Sequence, residues 1–382
     1  MQLAAYVHPF DMTSLRRQGG LARLRDLGFG ELAMATSYHD GRWLMPWNAR
    51  RVRFLEDGCV HFRPAGAYGR LRPQPSSEVP PTGPSPFEWL CSEAPTRGLA
   101  VRAWTVFGHN TRLGLTAPEL VVENACGDRY PYALCPAQPE VQRYHATLTA
   151  DLAAHEGLGA IEFEALGQMG FQHSSHHDKK SFAPRGLLGF ALSACFCPAC
   201  CAALAAVGAD AEGCRDAVRA FLDANLRDAD AMTPPAERAP SKEQQLWVDA
   251  VIRARVHTVA AVAEEVVGAS GALARAVQVH PDPGFTGSQL AARAARAFPP
   301  SDERVLTCYG MHPDAIAALL RHDGMRDLGD SPRRLCIWPK APEFTSDEDL
   351  IRIRELCGEH RIAALAIYHL GLLPWRTIER VA

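Results

Sequence analysis

The sequence predicts an α/β protein: a (β/α)8 TIM barrel with insertions after strands two and four. Short β-branched or apolar runs, each followed by a helical pattern, recur eight times, which is the signature of βα units and a parallel sheet. The chain ends almost as soon as its eighth helix is made, predicting one barrel domain over residues 1–382 with no appended domain. Composition is ordinary for a globular protein, 47% hydrophobic and 22% charged, and at 382 residues it fits one large barrel or two domains. The choice therefore rests on the alternation.

Strand one is predicted at Leu3–His8 and its helix at Ser14–Leu27. Strand two, Glu31–Ser37, is followed by a long insertion, 38–87. This holds a Pro-rich connector and a hairpin in "RVRFLEDGCVHFRP", with Asp57-Gly58 as the turn. Its helix is Phe87–Arg97, and strand three with its helix spans Ala100–Phe107 and Pro139–His155. Strand four, Ala160–Glu164, opens a second insertion, 166–241, with a His-rich loop and a cysteine cluster, before a helix at Lys242–Val267. The remaining strands are Ala274–His280, Arg304–Tyr309, Arg334–Trp338 and Ala363–Tyr368. Their helices are Ser288–Ala297, Pro313–Arg321, Ser346–His360 and Trp375–Val381.

Composition also removes whole classes of function. A formal net charge of −3 with scattered Lys and Arg offers no basic field for phosphate backbones, so nucleic acid is not an expected partner. "MQLAAYVHPF" lacks a positive n-region followed by an apolar stretch, which predicts a cytoplasmic protein, and no run of 18 apolar residues suggests a membrane span. Twelve cysteines without an export signal favour reduced thiols or metal ligands over disulfides. Homo-oligomerisation is left open.

A barrel builds its site from the C-terminal ends of its strands. On strand four, Ile161 and Phe163 alternate with Glu162 and Glu164, so the apolar pair should face the helices and the carboxylates the barrel axis. The same parity turns Tyr6, His8, Gln278, His280 and Tyr368 inward, and places Trp338, Lys340, His109, Asn110 and Arg112 at the rim. Two carboxylates buried side by side are costly when both ionise. One should carry a raised pKa or a basic partner such as His8 or His280. A raised carboxyl suits a general acid, which singles out Glu164, with Glu162 one layer deeper as its support. The competing reading is an inward polar layer held by a salt bridge.

Cys195, Cys197 and Cys200 form C-x-C-x-x-C, and a closed tetrahedral zinc site needs a fourth ligand. Cys201, Cys214, Cys126 and Cys135 are all available, and spacing does not choose among them. "CFCPAC" after strand four, together with "LCPAQPEVQRY" before helix three, resembles the zinc-binding arrangement of family 42 glycoside hydrolases, the β-galactosidases of clan A. The resemblance covers roughly Ala125–Ala203. It implies Cys135 as the fourth ligand of a structural zinc, Glu164 as the acid/base residue ending strand four, and Arg129 near a sugar-contacting arginine.

Two departures stand against it. Phe163 replaces the asparagine that precedes the acid, and strand seven ends in "CIWPKAPEF", where clan A places its nucleophilic glutamate. Lys340 falls near that place. Glu343 is the first candidate for the second carboxylate, and Asp282 in "HPDP", suited to activating water, is the second.

His173, His176, His177 and Asp178 lie in the loop after strand four. They offer a sugar-binding or lid role, a solvated loop, or a catalytic divalent metal site; Lys179 and Lys180 alongside oppose a cation. "SYHDGRWLMPWN" after strand two could carry Tyr38, His39, Trp43 and Trp47 over the mouth as a lid, although core packing explains each aromatic equally well. The expected function is glycoside hydrolase-like, acting on a small carbohydrate or glycoside by carboxylate acid/base catalysis. The alternatives are a metal-dependent hydrolase or lyase using the His-rich loop, and a carbohydrate-binding barrel without catalysis.

Overall fold

A computed structural model describes residues 1–171, 179–227, 232 and 237–382. Eight parallel strands close on themselves: β1 (Gln2–Val7), β2 (Phe29–Tyr38), β3 (Ala100–Val106), β4 (Ala160–Glu164), β5 (Ala274–His280), β6 (Glu303–Cys308), β7 (Arg333–Ile337) and β8 (Ala364–Ile367). Each pairs with its neighbours in sequence, and β1 pairs with both β2 and β8, which completes the (β/α)8 barrel. Insertions follow β2 and β4, as the sequence predicts.

The strand parity sorts two cores. Ile161 and Phe163 of β4 join Val101 and Ala103 of β3 in the layer between strands and helices, where Phe163 packs on Phe107 and Phe298. Inside the barrel the packing is dominated by small residues, Ala4, Ala33, Ala35, Ala276 and Ala366. Their size leaves room for the long polar side chains that β2, β3, β4, β6 and β7 send inward.

Helix starts follow local chemistry. Pro139, Pro198 and Pro313 each open a helix, where a missing N–H is harmless, and Ser85 and Ser241 make capping boxes with Glu88 and Gln244. The helix Lys242–Ala269 runs 28 residues because its first half leaves the barrel to pack Trp247 on Phe190 of the β4 insertion.

Three local expectations are corrected. The first helix breaks in two at Gly19, whose φ is 61°. Most of Ser288–Ala297 is not helical: Leu290 pairs with Val279 of β5, and a single turn, Ala292–Ala295, follows. The insertion hairpin does not turn at Asp57-Gly58. Val52–Leu55 pairs instead with Gly41–Leu44, while Cys59–Val60 pairs antiparallel with the end of β2.

Candidate active site

Glu162 and Glu164 both face the barrel axis, but they meet different surroundings. Glu162 is fully buried, accepts hydrogen bonds from Tyr6 Oη (2.6 Å) and Gln278 Nε2 (2.8 Å), and pairs with Arg102 at 3.3 Å. Arg102 also pairs with Glu31 and Glu303, each at 2.8 Å, and Arg334 pairs with the same two glutamates at 2.7 and 3.0 Å. Glu162 thus belongs to a buried ionic layer across the barrel floor. The basic partner is an arginine, not His8 or His280. Sequence reading passed over Arg102, Arg334, Glu31 and Glu303, although charged residues inside otherwise apolar strands were the available signal.

Glu164 stands one layer higher, at the C-terminal end of β4 and partly open to the mouth. Desolvation pushes its carboxyl up to about 7, with Glu162 adding to the rise; hydrogen bonds from Trp104, Ser288 and Gln278 oppose it. The Trp104 indole N–H donates to Oε2 at 2.6 Å. The next residue, Ala165, has φ 57°, a left-handed conformation costly for a residue with a Cβ. It is held from both sides: its N–H donates to Ser288 O, and its carbonyl accepts from Gly108 N at 2.9 Å. A Cβ on Gly108 would stand 2.6 Å from that carbonyl, so position 108 requires glycine.

Aromatic rings surround this carboxyl. Trp104 meets Tyr6, Tyr38 and Tyr368 edge-on at 5.0, 5.1 and 5.9 Å between centroids, and Tyr309 lies 4.1 Å from Tyr368. The Tyr38 and Tyr368 hydroxyls are 3.2 Å apart. Trp338 meets Tyr368 at 5.5 Å, and Lys340 Nζ lies 4.5 Å over the Trp338 ring.

Lys340 also pairs with Glu343 at 3.1 Å. Glu343 is held below the usual carboxylate range by its own backbone N–H and then by Lys340. Its Oε1 lies beside Gly310, directly after Tyr309, so Glu343 stands on the β6–β7 side of the rim. Asp282 is exposed beyond β5; it caps its own turn through Gly284 N at 2.8 Å and makes no contact with the Glu164 group.

The other candidates separate. His8 is sealed among Phe10, Tyr38, Trp43, Trp104 and His369. His39 stacks between Tyr38 and His109, at 4.1 and 4.5 Å. Asn110 is buried as the cap of Thr111–Thr116: Oδ1 accepts from Leu113 N and Nδ2 donates to Gly58 O, so its amide is committed to structure. Arg129 is half-exposed and pairs with Glu123 at 2.9 Å on a surface hairpin. His280 stacks on Phe285 at 4.0 Å, outside the ring around Glu164. His173, His176, His177 and Asp178 lie outside the described residues.

Cys135, Cys195, Cys197 and Cys200 come together from the end of the Arg129–Leu134 strand and the start of the helix Pro198–Ala206. All four are buried. Cys135 Sγ lies 3.9, 3.7 and 3.5 Å from the other three. Ligands at 2.3 Å in a tetrahedron stand about 3.8 Å apart, so the donor set fits one metal ion. N–H groups donate to three of the sulfurs: Glu123 N to Cys195 and Gln168 Nε2 to Cys200 at 3.3 Å, and Gln138 Nε2 to Cys197 at 3.6 Å. Such donors stabilise thiolates. Among the described residues no other such cluster could enclose a metal, and no helix is long and apolar enough to cross a membrane.

No protein-family model and no curated protein matches this sequence. Solved structures do. A β-galactosidase from the Antarctic haloarchaeon Halorubrum lacusprofundi is 14% identical with a TM-score of 0.57, covering 97% of this chain and 52% of its own. One from the psychrophilic Marinomonas ef1 is 13% identical, with a TM-score of 0.54 and coverage of 97% and 54%. The PgaB (BpsB) glycoside hydrolase domain of Bordetella bronchiseptica is 13% identical, with a TM-score of 0.57 and coverage of 97% and 94%. The chain spans about half the length of the two β-galactosidases. At these identities what is shared is the fold: this chain is built on the barrel that these glycoside hydrolases use.

Proposed function

We propose that the chain is a glycoside hydrolase-like enzyme in which Glu164 is the general acid. The observation that carries this reading is the Glu164 carboxyl itself, at the C-terminal end of β4 and raised to about 7. A carboxyl in that range is protonated enough near neutrality to deliver a proton to a leaving-group oxygen. The Trp104 indole fixes Oε2, and Glu162, anchored by Arg102, Tyr6 and Gln278, supplies the negative charge beneath it. The aromatic rings around the mouth suit the faces of a sugar.

Glu343 is the second carboxylate. Its environment holds it ionised while that of Glu164 favours the proton, and such divergence marks an acid paired with a base or nucleophile. A separation of about 5–5.5 Å in the bound complex would give retention, and about 6.5–9.5 Å inversion. Cys135, Cys195, Cys197 and Cys200 hold a structural zinc, because four thiolates leave no open position for water or substrate. Gln168, four residues after Glu164, ties that centre to the catalytic loop through Cys200.

The second reading is a carbohydrate-binding barrel without turnover. The observation favouring it is Lys340, which stands near the place expected for a clan A nucleophile and neutralises Glu343. Release of aglycone from aryl α- and β-glycosides, compared for wild type and Glu164→Gln between about pH 4 and 8, separates the two. Turnover that falls by about 10²-fold or more in the variant supports the acid assignment. Equal rates sink it, and sugar binding without turnover favours the second reading.

A further inference from the structure

We propose that His8 and His369 form a subsite for adjacent hydroxyls of an uncharged sugar, covered in this structure by the Trp43 indole. The inference rests on the mouth being a carbohydrate site, and it names which wall recognises the sugar.

His8 follows β1 and His369 follows β8 by two residues; these strands pair, which brings the imidazoles to 4.6 Å between centroids. Both side chains are fully buried. Yet both ring nitrogens of His8 and Nε2 of His369 have no hydrogen-bond partner. An unpaired buried polar atom costs about 1–3 kcal/mol, so three at one spot are hard to retain unless a ligand completes them.

One tautomer is fixed. His369 Nδ1 accepts from Gly371 N at 3.2 Å, which leaves the proton on Nε2 as an unpaired donor. Burial lowers His8 well below its ordinary range and His369 to about 3, so both rings are neutral. Neutral imidazoles offer donors and acceptors without charge. That chemistry suits hydroxyl groups and gives nothing extra to a carboxylate or phosphate.

The cover is not a barrel strand. Trp43 lies 5.0 Å from His8 and 5.5 Å from Phe10, and it comes from the ribbon Gly41–Leu44/Val52–Leu55, a two-stranded sheet of its own. Isolated two-stranded ribbons are marginal. The outer face of this one leaves Leu44 and Phe54 each 71% exposed. The turn joining its two strands is pinned: Asn48 Nδ2 donates to Asp11 Oδ1 at 2.6 Å, and Trp47 Nε1 to Leu373 O at 3.1 Å. A sugar would enter by displacing the Trp43 indole from His8, with Phe10, stacked on His8 at 5.1 Å, remaining as the other face of the subsite. Trp104 meets His8 at 5.4 Å while donating to Glu164, so a sugar held here stands one indole away from the proposed acid.

The test is binding, measured by tryptophan fluorescence and calorimetry in the Glu164→Gln background, so that turnover does not enter. The probes are galactose, glucose, mannose and N-acetylglucosamine, with glucuronate and galacturonate as charged counterparts. A neutral sugar should bind and change the emission, and Trp43→Phe should lose most of that change while still binding. His8→Phe, which keeps a ring in the cage, and His369→Gln should each weaken binding at least 10-fold. If His8→Phe does not fold, His369→Gln and the unmodified cage decide. Unchanged affinity in the histidine variants, preference for the uronates, or no binding by any neutral sugar overturns the proposal. Turnover by wild type with unchanged KM in the histidine variants would remove this subsite and leave Glu164 as the acid. Histidine-dependent binding without turnover would do the reverse.

Discussion

Replacing Glu164 by glutamine should make the protein more stable at alkaline pH. Desolvation raises this carboxyl from 4.5 to about 7, so the folded state favours the proton more than the unfolded chain does. The stability that the neutral form contributes is complete below about pH 4.5 and is lost as pH rises through about 7. At about 1.4 kcal/mol per unit, the full swing is about 3 kcal/mol, and water reaching the mouth reduces it toward about 2. Glutamine keeps the shape and an acceptor for the Trp104 indole but carries no charge to desolvate. Urea unfolding of both proteins at pH 5 and pH 8.5 should show the variant gaining about 2–3 kcal/mol relative to wild type across that interval, with the slope on denaturant unchanged. A gap that stays flat, or one that moves toward the wild type, refutes the claim that Glu164 is held protonated by its site.

Other outcomes follow from the same geometry. Glu162→Gln removes a charge about 6.6 Å below Glu164, two strand residues away, which at an effective dielectric of about 20 is worth about 2.5 kcal/mol. The Glu164 titration, followed by carboxyl carbon NMR, should move down by more than a unit; an unmoved titration removes Glu162 as its support. Cys197→Ser should lower bound metal from about one ion per chain toward none, by elemental analysis, together with the melting temperature, and full retention would show that the thiols hold no ion. Arg102→Leu should cost about 3–5 kcal/mol, the loss typical when one partner of a buried ion pair is removed, and a loss below 1 kcal/mol in urea would refute the account of the barrel floor. Lys340→Met should raise the pKa of Glu343, read as an upward shift of the acidic limb of kcat/KM, and an unshifted limb would detach Glu343 from the reaction.

The barrel was legible because β-strand alternation is a local signal: Ile161, Glu162, Phe163 and Glu164 point where parity sends them. The four-cysteine group was legible only with a resemblance, since C-x-C-x-x-C leaves the fourth ligand open and Cys135 arrives from sixty residues away. What escaped depends on contacts between distant strands. Arg102 meets Glu31, Glu162 and Glu303 from three different strands, and no one-dimensional pattern pairs them. His369 is not legible from parity, which turns Tyr368 inward and its neighbour out; the turn that begins at His369 rotates it inward beside His8. Asn110 went the other way: a polar residue at the rim reads as a ligand, but the helix that starts beside it needs a cap.

The buried ionic layer has a consequence for how this chain reaches its fold. Parallel strands hydrogen-bond almost equally well when slipped, but a slip of one residue would turn Glu31, Arg102 or Arg334 out among the apolar helices. The layer therefore acts as a key that admits one closure of the barrel. The key is also incomplete until late in the sequence. The first four strands bring Glu31 and Glu162 to share Arg102, and Glu31 gains its second arginine only when Arg334 on β7 reaches it, 303 residues away. A nascent chain holding only its first half can form the Arg102 pairs but not those of Arg334, so the register of the first strands is locked only when the last ones emerge.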